Sequence, residues 1–200
     1  MKKILACLFA TALGVSAFAQ DAGTTTAPTK RGSYIGVSYV VNDFASAQRI
    51  RSTSLTTVLS NHQFTKLKDM SPGIGITYFK GLSKFVDLAV SAVGTFPKVQ
   101  QADQSFSSGD DFLLETDASV NVKMFSERYL FSPYGIAGVG ISHLTKKFDA
   151  FVPLGLGLKA NIFNEAAIFL TTQYRIPITN NTNNYHFQFG LGFAGRIGKD

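Results

Sequence analysis

The chain has 200 residues and a formal net charge of +6 at pH 7, which allows one domain or at most two small ones. Hydrophobic residues make up 45% of it and charged residues 16%, which excludes an intrinsically disordered protein. The mean hydropathy is only +0.11, and no apolar run beyond the N-terminus is long enough to span a membrane as a helix. The basic residues form no run, so nucleic-acid binding is not expected.

Residues 1–19 have the parts of a signal peptide. Two lysines precede an apolar stretch over Ile4–Phe18, and Ala17–Ala19 form a small-x-small cleavage site. An alternative, lipoprotein acylation at Cys7, leaves too few residues ahead of the cysteine for a charged region and an apolar core. The single cysteine of the chain, Cys7, lies within this signal peptide. We therefore expect the exported chain to have no thiol once the signal peptide is removed. Residues 20–32, rich in Thr, Ala and Pro, are expected to form a short periplasmic tether.

From residue 33 onward the hydrophobic period is two, which predicts β-strands. The clearest segment places Leu114 and Val120 on one face and Glu115 and Asn121 on the other. The predicted strands are Ser33–Asn42, Pro72–Lys80, Phe85–Phe96, Phe112–Phe125, Ser132–His143, Val152–Ile162, Ala166–Ile176 and Tyr185–Arg196. The sequence therefore predicts an all-β domain of eight strands over residues 33–198.

The connections between these strands alternate in length. The short ones are Gly81–Lys84, Ser126–Phe131 and Phe163–Glu165, and the longer, more polar ones are Asp43–Ser71, Pro97–Asp110, Leu144–Asp149 and Pro177–Asn184. Tight turns at one rim and larger loops at the other are typical of an up-and-down antiparallel transmembrane β-barrel. About ten residues at about 3.3 Å each, tilted by about 40°, rise roughly 25 Å, which matches the apolar band of such a barrel.

A soluble eight-stranded barrel of the lipocalin type is the structural alternative, with its apolar face turned inward around a ligand. Side-chain size favours the membrane barrel, because the polar face is rich in glycine, alanine and serine, which suit a narrow lumen better than a water-exposed surface. Aromatic residues gather near the strand ends, as two interfacial girdles require. We expect Tyr34, Tyr78, Phe85, Phe125 and Phe163 at the short-turn rim, and Tyr39, Phe96, Phe112, Phe151, Tyr174 and Tyr185 at the long-loop rim.

Glycine alternates with aliphatic and, in places, aromatic residues through Ser132–Ser142, Pro153–Lys159 and Gly190–Phe193. With this pattern the chain resembles the outer-membrane β-barrel domain family common in Bacteroidota, which is similar in architecture to the OmpA-type transmembrane domain. The resemblance implies a location in the cell outer membrane and no catalytic residue. One departure is that Phe193 is followed by seven further residues, so the signal read by the insertion machinery is expected to be internal or family-specific.

Charged residues on the predicted lumen face are few and of both signs: Asp87, Glu115, Asp117, Lys123, Lys159, Arg175 and Arg196. Buried charges are stable only when they are paired or solvated. We expect Asp87 and Lys123 to meet near the short-turn rim, where Lys159 and Arg196 share the same depth. Glu115 and Arg175 are expected near the other rim. The favoured interpretation is a lumen charge network that plugs the barrel, and a narrow ion channel is the alternative.

An enzyme that modifies lipid A at the outer rim is a further alternative. Its candidate residues are His62, Ser142, His143 and His186, with Asp110 or Asp149 as an orienting carboxylate. Any long polar loop offers such a set, so we predict no catalytic residue. No histidine pair has metal-ligand spacing, and the glycines at 138, 140, 155 and 157 lack the context of a phosphate loop, so no metal or cofactor is predicted.

The first long loop, residues 43–71, carries both basic and apolar side chains, and we expect it to continue above the membrane as a solvated hairpin. Its basic residues suit lipopolysaccharide phosphates or an acidic partner. The sequence thus predicts a monomeric, non-enzymatic protein that contributes to envelope integrity or surface interaction through its external loops. Its expected partners are outer-membrane lipid, lipopolysaccharide and a protein of unknown identity.

Overall fold

A computed structural model of the protein describes residues 32–100, 106–108, 112–125, 130–144, 147–162, 165–179 and 185–197. The predicted signal peptide, residues 1–19, lies outside the described residues. So does the predicted tether apart from its final residue, Gly32.

The described residues form ten strands, eight of which close into a single antiparallel barrel. The strands are β1 (Ser33–Asp43), β2 (Ser71–Gly81), β3 (Val86–Thr95), β4 (Lys98–Gln100), β5 (Phe106–Ser108), β6 (Leu113–Lys123), β7 (Phe131–Leu144), β8 (Lys147–Ile162), β9 (Ala166–Pro177) and β10 (His186–Ile197). Around the barrel the order is β1-β10-β9-β8-β7-β6-β3-β2. Each barrel strand pairs with its neighbours in sequence, and β1 pairs with β10 to close the sheet. The predicted eight-stranded up-and-down barrel is confirmed.

Strands β4 and β5 form a separate two-stranded hairpin within the predicted loop Pro97–Asp110. The predicted long loop Leu144–Asp149 is wrong, because β7 continues to Leu144 and β8 already begins at Lys147. Residues 147–149 are therefore paired strand rather than polar loop.

The first long connection is helical, so the expected solvated hairpin over residues 43–71 is wrong. It contains α1 (Phe44–Ser52), α2 (Leu55–Ser60) and a single 3-10 turn at Leu67–Asp69. Side-chain caps start both α-helices: Asp43 accepts a hydrogen bond from the backbone N–H of Ser46, and Ser54 accepts one from Thr57. None of the described helices has the length and apolar character needed to cross a membrane.

Side chains alternate strictly between the two faces of the barrel wall. On β6 the inward positions are buried, among them Leu113 and Glu115, whereas Leu114 and Val120 on the opposite face are about 40% exposed. Two aromatic placements are corrected by this alternation. Tyr34 and Phe151 do not belong to the two interfacial girdles on the outward face, because both occupy inward positions of their strands.

A small apolar cluster fills the lumen near the short-turn rim. The rings of Phe79 and Phe169 meet edge to face with centroids 5.2 Å apart, Ala89 and Ala194 complete the buried cluster, and Tyr34 packs against it. Inward glycines make room for such rings. At Gly157 of β8, a Cβ atom would overlap the ring of Tyr134, its direct partner on β7.

Candidate functional site: the closed lumen and its outer cap

The inner end of the lumen holds an ion pair between β3 and β6. Asp87 pairs in register with Asn121, and Lys123 follows two residues later on the same inward face. The Lys123 ammonium therefore reaches the carboxylate and donates to Asp87 Oδ1 at 2.8 Å. The two side chains are 1% and 6% exposed, so the pair is almost fully removed from solvent.

Two further cations lie at the same end of the barrel. The Lys159 ammonium is buried and sits 4.5 Å from the centroid of the Tyr34 ring and 6.0 Å from that of Phe79, within the range of cation–π attraction. Lys159 shares a cavity of about 10 Å³ with Asp87 and Lys123. Arg196 is half-buried, and its backbone N–H donates to the Glu165 carbonyl in the β8–β9 turn at 2.8 Å.

The outer end of the lumen is organised around Arg175 of β9. Its guanidinium lies 3.0 Å from Glu115 Oε2 and 3.0 Å from Asp117 Oδ2. Glu115 and Asp117 are two residues apart on β6, so both carboxylates project from the same face and meet one arginine across the lumen. The face of the Phe151 ring lies 4.8 Å from the guanidinium carbon, which explains why this aromatic residue is inside the barrel.

Neutral residues extend this outer cluster around the lumen, and the pattern of charged residues in the sequence does not predict their part in it. Gln188 Oε1 accepts from Arg175 at 2.6 Å, and its amide nitrogen donates to Asn42 Oδ1 at 3.0 Å. Asn42 in turn donates to Thr95 at 3.2 Å, and Ser91 donates to Asp117 at 2.6 Å. The signal that would have found them is the same period of two that places their side chains on the inward face.

A small polar cavity separates the inner pair from the outer cluster. Its volume is about 40 Å³, and its lining is mixed: hydroxyl and amide side chains, including Ser38, Ser119, Asn121 and Gln173, lie beside apolar residues such as Val93. A water needs at least about 10–15 Å³, so the space accommodates about three waters. The lumen is therefore a short chamber with charged side chains at both ends.

Helix α1 closes the outer mouth of the barrel above Arg175. The ring of Phe44 lies 4.5 Å from that of His186, an inward residue that is 1% exposed. Ser46 is fully buried, and its hydroxyl accepts a hydrogen bond from the Thr65 N–H at 2.9 Å. Arg49 pairs with Asp69 at 2.9 Å and so fastens the helix to the returning chain.

The candidate enzyme residues are brought together only in part. Ser142 pairs in register with Asp149 of β8 and with Glu115 of β6, and Asp110 lies outside the described residues. Ser142 is buried on the inward face of β7, whereas His143 is on the opposite face and stacks on Phe148 with ring centroids 4.4 Å apart. His186 lies beneath the cap with its Nε2 atom 3.4 Å from Glu115. His62 is exposed in the loop that follows α2.

The outward face of the barrel is a continuous apolar surface. Large exposed side chains on this face include Val37, Ile74, Val90, Val139, Leu156, Leu170, Leu191 and Phe193. Apolar residues in such numbers on a protein surface mark contact with lipid or with another protein, and a band that encircles a closed barrel is typical of lipid contact.

No protein-family model matches the chain, and no curated protein matches it in sequence. Solved structures do match. The chain is similar to Neisserial surface protein A, with a TM-score of 0.58 at 13% identity over 83% of this chain and 97% of that one. The fold is that of a small outer-membrane β-barrel.

Two other structures support the same fold. The N-terminal β-barrel domain of Pseudomonas aeruginosa OprF matches with a TM-score of 0.53 at 11% identity, over 82% of this chain and 97% of that one. Ail, the attachment invasion locus protein of Yersinia pestis, matches with a TM-score of 0.50 at 13% identity, over 84% of this chain and 99% of that one. Because the identities are this low, the similarity establishes architecture and carries no residue role.

Proposed function

We propose that this chain is a non-enzymatic protein of the cell outer membrane, with a plugged lumen and external loops that contribute to envelope integrity or to interactions at the cell surface. The observation that carries the proposal is the closure of the lumen. Charged side chains link the barrel walls near both rims, helix α1 covers the outer mouth, and about 40 Å³ of space remains between them. Such an interior leaves the outer surface as the place of interaction.

The outer membrane is the location that suits this surface. An exposed apolar band around a closed barrel requires lipid, and barrels of this kind insert with short turns on the periplasmic side and longer loops outside. Residues 1–19 supply the expected export signal. The alternation of glycine with aliphatic and aromatic residues adds the proposal that the chain belongs to the Bacteroidota barrel family, as a monomer without cofactor.

Both the similar solved structures and the closure of the lumen favour a role in surface interaction over a role in transport. One of the similar structures is a surface protein, and another is an attachment invasion locus protein, which was also crystallised with the heparin analogue sucrose octasulfate. By analogy, the partner of this chain is expected to meet the external loops rather than the barrel interior.

Fractionation of cells and electrophoretic mobility test the location and the fold together. We expect the full-length protein to appear in the outer-membrane fraction and to migrate at different positions on a denaturing gel with and without boiling, because a closed barrel resists detergent at room temperature. Recovery as a soluble periplasmic protein would instead support a lipocalin-like carrier.

A lipid-A-modifying enzyme is the competing class, because His186 contacts Glu115 near the outer rim. We predict that replacing His143 and His186 with alanine leaves the lipid A of the host cell unchanged by mass spectrometry. For His143 the physical reason is that it lies on the opposite face of β7 from Ser142, so the two cannot form a nucleophile–base pair. For His186 the reason is that its carboxylate partner, Glu115, is also paired with Arg175 in the buried outer cluster. Lys68→Ala serves as an exposed control outside the candidate set, and a change in lipid A caused by His143→Ala or His186→Ala but not by this control would establish the enzyme.

A further inference from the structure

An aromatic strip lies on the outward wall where β9 and β10 approach the outer rim. Tyr174 and Phe187 face out of the barrel, opposite to the inward Arg175 and His186. The ring of Phe187 lies 4.7 Å from that of Tyr174 and 5.5 Å from that of Phe64, which belongs to the returning first loop. Amphipathic aromatic rings at this level of a barrel sit at the boundary between lipid tails and headgroups.

Arg51 of α1 lies directly on this strip. Its guanidinium carbon is 3.7 Å from the centroid of the Tyr185 ring, and Tyr185 is 6.3 Å from Tyr174. The Arg51 side chain is exposed and forms no ion pair with the described residues, so stacking fixes the flat face of the guanidinium and leaves its N–H groups available. The stacked arginine thus presents a positive fork at the edge of an apolar surface.

The outer end of the described chain exposes cations and buries its carboxylates. Arg51, Lys68 and Lys147 are exposed. The three aspartates at this rim, by contrast, are at most 3% exposed, and each has a partner. Asp43 caps α1, Asp69 pairs with Arg49, and Asp149 accepts a hydrogen bond from Thr179. Among the described residues, the accessible charge at this rim is therefore positive.

We infer that the strip formed by Phe64, Tyr174, Tyr185 and Phe187 together with Arg51 is a binding site for the phosphorylated headgroup of lipid A, the lipid portion of lipopolysaccharide. A guanidinium fork recognises a phosphate through two charge-assisted hydrogen bonds, and the aromatic rings contact the acyl chains beside it. The site thus has a cationic part and an apolar part side by side, as an anionic amphiphile requires. This inference depends on the proposed location in the outer membrane.

Native mass spectrometry of the purified, folded protein released from detergent micelles tests this inference, with lipids added in defined amounts. The probes are diphosphoryl lipid A, fully dephosphorylated lipid A and phosphatidylglycerol. We expect diphosphoryl lipid A to bind more tightly than the other two. Arg51→Ala is expected to weaken that binding by about fivefold or more, because charge-assisted hydrogen bonds are lost.

Lys147→Ala is the matched control, because it removes one exposed positive charge from the same rim at β8, two strands away from β10. It should change the affinity by less than about twofold. Arg51→Lys, which keeps the charge without the fork, should fall between wild type and Arg51→Ala. The difference in gel mobility with and without boiling verifies that each variant is folded.

Equal effects of Arg51→Ala and Lys147→Ala would overturn the assignment, because the attraction would then be general to the rim. Equal binding of dephosphorylated lipid A or of phosphatidylglycerol would also overturn it. The assay uses purified protein, so its result is separate from cell fractionation. Recovery of the protein from the soluble periplasmic fraction would refute the proposed function. A protein that fractionates with the outer membrane but does not discriminate among the three lipids would refute only this binding site.

Discussion

The inner ion pair allows a quantitative prediction. Asp87→Ala leaves the Lys123 ammonium, whose side chain is 1% exposed, without the carboxylate that is 2.8 Å away. The space left by the carboxylate joins the adjoining cavity of about 10 Å³, and a water held there is neutral, so it does not balance the ammonium charge as the carboxylate did. Removing one partner of a buried pair costs about 3–5 kcal/mol, and we expect the free energy of unfolding to fall by about that amount.

A urea titration of the folded barrel in phosphatidylcholine vesicles measures this loss, with tyrosine fluorescence and heat-modifiable gel mobility as readouts. Glu165→Ala is the matched control, because it removes an exposed carboxylate from the same rim and should cost less than about 0.5 kcal/mol. Adding Lys123→Ala to Asp87→Ala should restore part of the stability, since no unpaired charge then remains in the pair.

The plugged lumen also predicts low ion conductance for the Asp87→Ala variant, because the cluster around Arg175 and helix α1 still close the outer end. We expect this variant to remain closed in planar lipid bilayers. An Asp87→Ala protein that unfolds like the Glu165→Ala control and conducts ions would refute the plugged lumen and establish the channel alternative.

Two further substitutions test local packing. Gly157→Ala places a methyl group in the space of the Tyr134 ring and should destabilise the barrel by about 1–3 kcal/mol in the same titration. Gly135→Ala is the control and should be close to neutral, because its Cβ would meet no atom within 4 Å. Asp43→Ala removes the 2.8 Å cap on the Ser46 N–H and should destabilise α1 by about 1 kcal/mol, seen as faster hydrogen exchange at its first amides. Ser54→Ala, which removes the cap of α2, should leave exchange in α1 unchanged, and equal exchange in α1 for both variants would contradict the role of the cap.

The barrel itself was predictable because its strands are long enough for a period of two to be unmistakable. In β6 successive residues alternate between the two faces over eleven positions, and this pattern alone predicts that Asp117 and Lys123 lie inside. The up-and-down order then makes the third and fourth barrel strands neighbours, and hence predicts that Asp87 and Lys123 meet. Local pattern and pairing rules were sufficient for these features.

For Phe151 and Tyr34 the prediction from the sequence is wrong. Their positions near the strand ends predict girdle residues, although the alternation of β8 and β1 places both inward. Each ring stacks with a buried cation, Phe151 with Arg175 and Tyr34 with Lys159. An aromatic residue near a rim therefore has two possible environments, and the face of the strand distinguishes them better than its depth does.

Helix α1 was not predictable for a different reason. Its nine residues have no strong apolar period, and a helix of this length has little stability by itself. It is held by contacts with residues distant in the chain, namely Phe44 with His186, Ser46 with Thr65 and Arg49 with Asp69. The contact of Phe44 with His186 exists only after the barrel has formed, and the other two join residues 19 and 20 positions apart, beyond the reach of a local sequence pattern.

The low identity to structures of the same fold indicates where specificity resides in this protein. Neisserial surface protein A shares the architecture at 13% identity, so sequences that differ at most positions can form this fold. The charge network is one of many ways to fill an eight-stranded interior. The contact between Arg51 and Tyr185, by contrast, lies outside the barrel strands and on the external surface, so replacing Arg51 tests partner binding rather than closure of the lumen.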